Sequence, residues 1–427
     1  MALRLRNGLF WGDHIGLFAE TGLHERFTTA GLFAFHNEHL VVPMKLALYA
    51  DLHWFGGWQW FTASLAVLLA AFPPLVCWRA LAREIPELGN SRLAFCGAVL
   101  TSLYGNGMLL WDLHWPILLQ HFFAVAAVLG LAAWLAWNKR QDWGGAAAIL
   151  AICGLGAICS ANGALTPLVV GAVALFTGRR WLLGASAAGL LLVTAPYYLA
   201  YRASRPSFAV ATASPWEALH FAVLFVGGAY WRDSSFPFES HSEPAVVYAA
   251  AVAFCVLMSW LVLGLWRKRE RLTSFEVFHL TLLIFVALSA LAGGVFRSQL
   301  GPLEGLNKKY AATAFLAWLS VASLVIRLRP GLVFEEPWRP PLVAGILLAW
   351  LVPSGAAEFR LWRAWNDRVR ECTAAVLSEA AHPEALRSLY FDERRAAEVL
   401  GELRRRRKGW IGSAGAQQAA GSASSMK

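Results

Sequence analysis

Apolar residues fill most of this chain in long runs, and short polar loops separate them. Ten runs approach the roughly 20 residues that a helix needs to cross a bilayer. They lie at about 59–78, 93–111, 116–137, 144–160, 163–178, 181–200, 244–266, 275–295, 310–327 and 342–357. Backbone polar groups in hydrocarbon must be bonded within the segment, so such runs are expected to be helices. The expected fold class is all-α, a polytopic transmembrane helical bundle of about 10–11 spans. The segment 201–243 adds a shorter apolar piece, Ala218–Gly228, which could be re-entrant or lie in the interface.

Four regions follow. Residues 1–57 alternate between aromatic and polar without a spanning run, and 58–357 form the transmembrane domain. Residues 358–410 carry Arg and Glu at helical spacing, with Pro383 suited to a first turn and Asp392 to an N-cap, and read as a short polar helical tail. Residues 411–427 are low in complexity and are expected to be disordered. No cleavable signal peptide is apparent, because no adequate apolar core follows the basic start before Asp13.

Composition agrees with the membrane reading. Hydrophobic residues make up 58% and charged residues 15%, a balance unsuited to a water-exposed surface. Many of the 21 tryptophans sit at run ends, where indole favours the membrane–water boundary. The six cysteines form no CxxC pair and read as small buried hydrophobes. The net charge of +10 comes without an RNP-like or zinc-finger pattern, so no nucleic-acid partner is expected.

Loop charge orients the spans. One alternating set of loops carries 14 basic residues in short segments, including Arg79, Lys139, Arg140, Arg179 and Arg267–Arg271; the other carries 10 over far more chain. The first set is expected inside the cell. The second faces outward, and it holds nearly all the candidate chemistry. Its first segment contains Asp13, His14 and the cluster His36, Asn37, Glu38 and His39 within Phe33–Asp51. Asp112 and His114 follow between tryptophans, and Arg297, Lys308, Lys309 and Tyr310 come last.

A carboxylate can act as general base toward a hydroxyl, cations can hold a phosphate leaving group, and aromatic rings can stack on sugars or grip an isoprenoid. These are the components of sugar transfer from a lipid phosphate. Each has a plainer alternative. The 36–39 cluster could be the wet face of an interfacial amphipathic helix, and Asp13 an ordinary loop or capping aspartate. Asp112 and His114 could form a turn and an interfacial anchor, and the three cations could snorkel. Asn162–Gly163 reads as a helix–helix turn, and His121 and His279 as partners in interhelical hydrogen bonds.

In order along residues 10–360, the chain resembles the GT-C superfamily of integral-membrane glycosyltransferases. It resembles more closely uncharacterised bacterial membrane proteins of that type with an Asn-Glu-His element before a span. The matching landmarks are Asn37–His39, Asn106–Trp111 with His121–Phe123, Asn162–Gly163, Pro196–Tyr201 and Gly301–Tyr310. The resemblance implies a multi-pass protein of the bacterial inner membrane, active at its periplasmic or extracellular face. It implies an acidic catalytic residue in the first outward loop, Asp13 by position, with Glu38 as rival. Two features depart from the pattern: Asp13 is followed by His14 and not by a second acid, and the helix expected ahead of this loop has no counterpart after Met1.

The leading expectation is therefore a glycosyltransferase that uses a polyprenyl-phosphate-sugar donor and a glycan or lipid acceptor. His14, His36, Asn37, His39, Asp112, His114, Arg297, Lys308, Lys309 and Tyr310 would bind substrate. No cofactor is demanded, although a divalent metal ion on Asp13, Glu38 and His39 is chemically allowed. The rivals are a transporter or flippase of lipid-linked glycans and a non-catalytic subunit of a membrane complex.

Overall fold

A computed structural model of the protein describes residues 13–105, 109, 113, 118–138, 140–204, 214–228, 245–297, 300–377, 385, 387, 389–390 and 392–408. The described residues are helical, apart from turns and one isolated β-bridge. Helices α1 (Asp13–Thr21), α2 (Thr29–Phe33) and α3 (Val42–Trp54) precede the first long apolar helix, α4 (Trp60–Glu84). Then come α5 (Gly89–Tyr104), α6 (Leu119–Trp137), α7 (Trp143–Cys159), α8 (Thr166–Thr177) and α9 (Arg180–Ser204). They are followed by α10 (Pro215–Gly227), α11 (Ala245–Arg267), α12 (Ser274–Arg297) and α13 (Ala311–Leu328). The last two are α14 (Arg339–Leu377) and α15 (Glu393–Arg405). Pro383 and residues 411–427 lie outside the described residues.

Among the described residues, six helical stretches are long and apolar enough to cross a bilayer: α4, α6, α9, Val247–Arg267, α12 and α13. Four shorter apolar helices accompany them, at Trp143–Cys159, Ala161–Thr177, Pro215–Gly227 and Arg339–Ala349. The chain has the make-up of a multi-pass membrane protein. Ten full-length spans were expected, and the difference is one of helix length. The run at 93–111 yields a helix that stops at Tyr104, and those at 144–160 and 163–178 yield the shorter apolar helices Trp143–Cys159 and Ala161–Thr177.

The chain divides into two compact units: residues 1–68, 110–120 and 358–427, and residues 69–109 and 121–357. The first has a small core of its own. Ile15 and Phe18 of α1, with Leu23 and Leu52, meet Val369, Leu389 and Tyr390, and the stripe Ala396, Val399, Leu400 and Leu403 of α15. That stripe follows the i, i+3, i+4, i+7 pattern of an amphipathic helix. Asp392 caps α15 by accepting from the Arg395 amide at 3.1 Å, and Arg406 donates to the Glu25 carbonyl at 2.7 Å. The C-terminal helix is thus a structural partner of the N-terminal segment.

The second unit packs through apolar surface and close backbone approach. In α6, α12 and α13, 72% of the apolar window is buried, against 22% in α9 and in Val247–Arg267; the last two therefore present the most apolar surface to lipid. Helix α10 packs on α11, α12 and the 3₁₀ turn Pro302–Leu306, and Ala218, Phe221, Leu224 and Phe225 are buried. Glycine makes the approach possible: a Cβ on Gly227 would lie 2.3 Å from Ala251 Cα, and one on Gly163 would lie 1.9 Å from the Gly156 carbonyl oxygen. Asn162–Gly163 belongs to the turn Ala161–Leu165, capped by Ser160.

Candidate functional site: the His36–His39 turn

The central polar cluster is a tight turn and not an amphipathic helix. His36 and His39 exchange backbone hydrogen bonds, at 2.8 Å from the His36 amide and 2.9 Å from the His39 amide. Asn37 takes a φ of 52°, a left-handed conformation that Asn tolerates better than most residues. The turn points its imidazoles at two carboxylates. His36 Nδ1 lies 2.8 Å from Glu20 Oε2, and His39 Nε2 lies 3.2 Å from Glu38 Oε1. A carboxylate oxygen only accepts, so the 2.8 Å contact has His36 Nδ1–H donating to Glu20. His36 Nε2 is buried and has no hydrogen-bond partner among the described residues. Glu38 and His39 are half-buried.

The exit from the turn is strained. Val41 has a φ of 50°, where a β-branched side chain costs of order 1–3 kcal/mol. Pro43 then opens α3 within its first two positions, where its missing N–H costs nothing.

Two buried charges hold this region. Lys45 is fully buried, and its ammonium donates to the carbonyls of Gly31 at 3.2 Å, Leu32 at 3.0 Å and Ala34. It thereby satisfies acceptors that the end of α2 leaves open. Burial lowers its pKa to about 8, against the opposing pull of the Glu20 charge. Asp51 sits against the N-terminus of α4, where Oδ2 accepts from the Thr62 amide at 3.0 Å and its hydroxyl at 2.8 Å. Burial pushes the Asp51 carboxyl up, and these bonds oppose the shift. His24 and His53 bond the carbonyls of Phe18 and Leu23. Burial is the main cause lowering the pKa of both.

The second unit has a polar cluster in Gly301–Tyr310. Lys309 is ion-paired with Glu304, and its ammonium lies 5.1 Å from the centre of the Tyr310 ring. Asn307 Nδ2 donates to both Glu304 oxygens, at 3.3 and 3.4 Å. Tyr310 is buried against Phe221 and Phe225 of α10, with ring centres 5.8 and 5.0 Å apart. Gly301, at φ 97°, begins the loop in a conformation open to glycine.

Among the expected site residues, the structure brings His36, Asn37, Glu38 and His39 together on one turn. It places Lys309 beside Tyr310, and Arg297 half-buried in the last turn of α12. His14 is buried in α1. Asp13 begins α1, but its side chain, like that of Lys308, lies outside the described residues, as do Asp112 and His114 entirely. Sequence reasoning did not single out Glu20, Lys45 or Glu304. Glu20 and His36 are 16 residues apart and share no local period, whereas the spacing Glu304–Asn307–Lys309 was a usable signal. His279, expected to bond another helix, is fully buried between the edges of Phe275 and Phe278, and neither ring nitrogen has a hydrogen-bond partner among the described residues. Among the described residues, no group of three His, Cys, Asp or Glu could hold a metal ion.

Comparison with protein-family models, curated proteins and solved structures finds no match to the chain.

Proposed function

We propose that this is a GT-C-type glycosyltransferase that takes its sugar from a polyprenyl-phosphate donor at the outer face of the bacterial inner membrane, in cell-envelope glycan or glycolipid assembly. The observation that carries this reading is a four-residue turn whose two imidazoles each meet a carboxylate, His36 that of Glu20 in α1 and His39 that of Glu38 in the turn itself. Glu38 is the proposed base, with Asp13 as rival. It takes the proton of the acceptor hydroxyl as that oxygen bonds to the sugar C1. The C1–O bond to phosphate breaks, and polyprenyl phosphate leaves with the bonding electron pair. His39 and His36 orient substrate, with His36 fixed by Glu20. Arg297 and the Gly301–Tyr310 cations are assigned to phosphate recognition, to be tested through their own variants.

Purified protein supplied with polyprenyl-phosphate sugars should transfer sugar, and Glu38→Gln should slow transfer by about 10²–10⁴-fold, the usual worth of a positioned base. The reading fails if no such donor is used and both Glu38→Gln and Asp13→Asn complement a deletion normally.

One set of observations favours the transporter reading. Helix α10 is short and buried, and α9 contains a π-helical turn at Leu190–Thr194, a local irregularity frequent at functional sites. Reconstituted vesicles that flip a lipid-linked glycan without transferring sugar would select it.

A further inference from the structure

We infer that α6 carries a binding groove for one anionic glycerophospholipid, at the end of the helix that loop charge places on the cytoplasmic side. Gly130, Ala133, Trp134 and Trp137 fall at i, i+3, i+4 and i+7, and so line one face of α6. With Asn138 and Arg140 they bound an open surface groove of about 790 Å³. The groove is polarised along its length. At one end Gly130 leaves open space, with nothing within 4 Å of where a Cβ would stand. Two indoles follow, one of them fixed by contact of Trp137 with Phe278 at 5.2 Å. At the other end is the exposed guanidinium of Arg140.

The charge there suits a phosphodiester. Arg179 reaches the same last turn and donates to the Leu135 carbonyl at 2.7 Å, which adds a second cation. Asp142 lies 3.4 Å from Arg140, but its carboxylate also caps α7 by accepting from the Gly145 amide at 2.8 Å. The positive end of α7 therefore offsets part of that negative charge. An acyl chain at Gly130, glycerol beside the indoles and phosphate at Arg140 match the order of groups in a phospholipid. This is the leaflet in which anionic lipid is drawn to basic pockets between spans. The site does not depend on the proposed transferase activity.

The test is native mass spectrometry of the intact protein released from nanodiscs containing equal phosphatidylglycerol and phosphatidylcholine. The protein is expected to retain phosphatidylglycerol over phosphatidylcholine by about fivefold or more, the worth of one cation at a lipid surface. Arg140→Gln should reduce that preference several-fold. Gly130→Phe, at a position with open space around a Cβ, should remove the retained lipid. Arg83→Gln, which removes an exposed charge elsewhere, should leave retention unchanged. Equal retention of the two lipids by the parent protein overturns the proposal. So does a loss in Arg83→Gln as large as that in Arg140→Gln, or lipid retained undiminished in Gly130→Phe.

Discussion

The two units solve the burial of polar groups in opposite ways. In the first, charge is carried inside and used. Lys45 closes the end of α2, Asp51 holds the start of α4, and Glu20 fixes His36. In the second, the helix interiors are mostly apolar, and the charged ties fall near helix ends, as in Glu84–Arg327 at 3.0 Å and Lys268–Glu276. Its tight contacts come instead from glycine and small residues. A hydrophobic core can offset a few buried charges, whereas helices among lipid gain little from apolar contact alone and rely on close packing.

The contrast can be broken at four points. Lys45→Met removes the partner of three carbonyls and should cost the first unit about 3–5 kcal/mol, read as a lowered thermal midpoint and faster hydrogen exchange over residues 29–45. A neutral result would mean that water can replace the ammonium there. Gly227→Val should cost about 1–3 kcal/mol, because its Cβ would press on Ala251 at 2.3 Å; an unchanged midpoint in detergent would deny the close packing of α10.

Asp51→Ala should cost about 1–2 kcal/mol through loss of the α4 cap. Because burial raises the carboxyl, the folded state keeps its proton after the unfolded chain has released it. That contribution is complete below the ordinary carboxylate pKa of about 4 and is lost as pH rises through the folded value. Thermal midpoints should therefore fall across that window, and Asp51→Asn should flatten the fall. A parent protein whose stability rises over the same window would reverse the assignment. Last, Arg394→Ala on the wet face of α15 should change stability by less than about 0.5 kcal/mol, since its pair with Glu398 is exposed.

Run length made the helical membrane class legible, because hydrocarbon admits few other backbones. The Asp392 cap and the turn at Asn162–Gly163 could be read locally, since their partners lie within a few residues. Glu38 beside His39 was visible for the same reason. Glu20 with His36, and Lys45 with the carbonyls of α2, were not, because these partners are 11 to 16 residues apart; the chain turns at Gly22 between the first pair and at Asn37 and Val41 between the second.

By itself, then, the sequence determined that this chain is helical, rich in apolar spans, and gathers carboxylates and imidazoles in loops of one set. Tertiary structure alone decided which of those groups meet. It paired His36 with Glu20, tied Lys309 to Glu304, drew α15 onto α1 and buried α10. Periodicity reports which medium a side chain prefers; contact between distant residues depends on backbone turns and close approaches that no local pattern encodes.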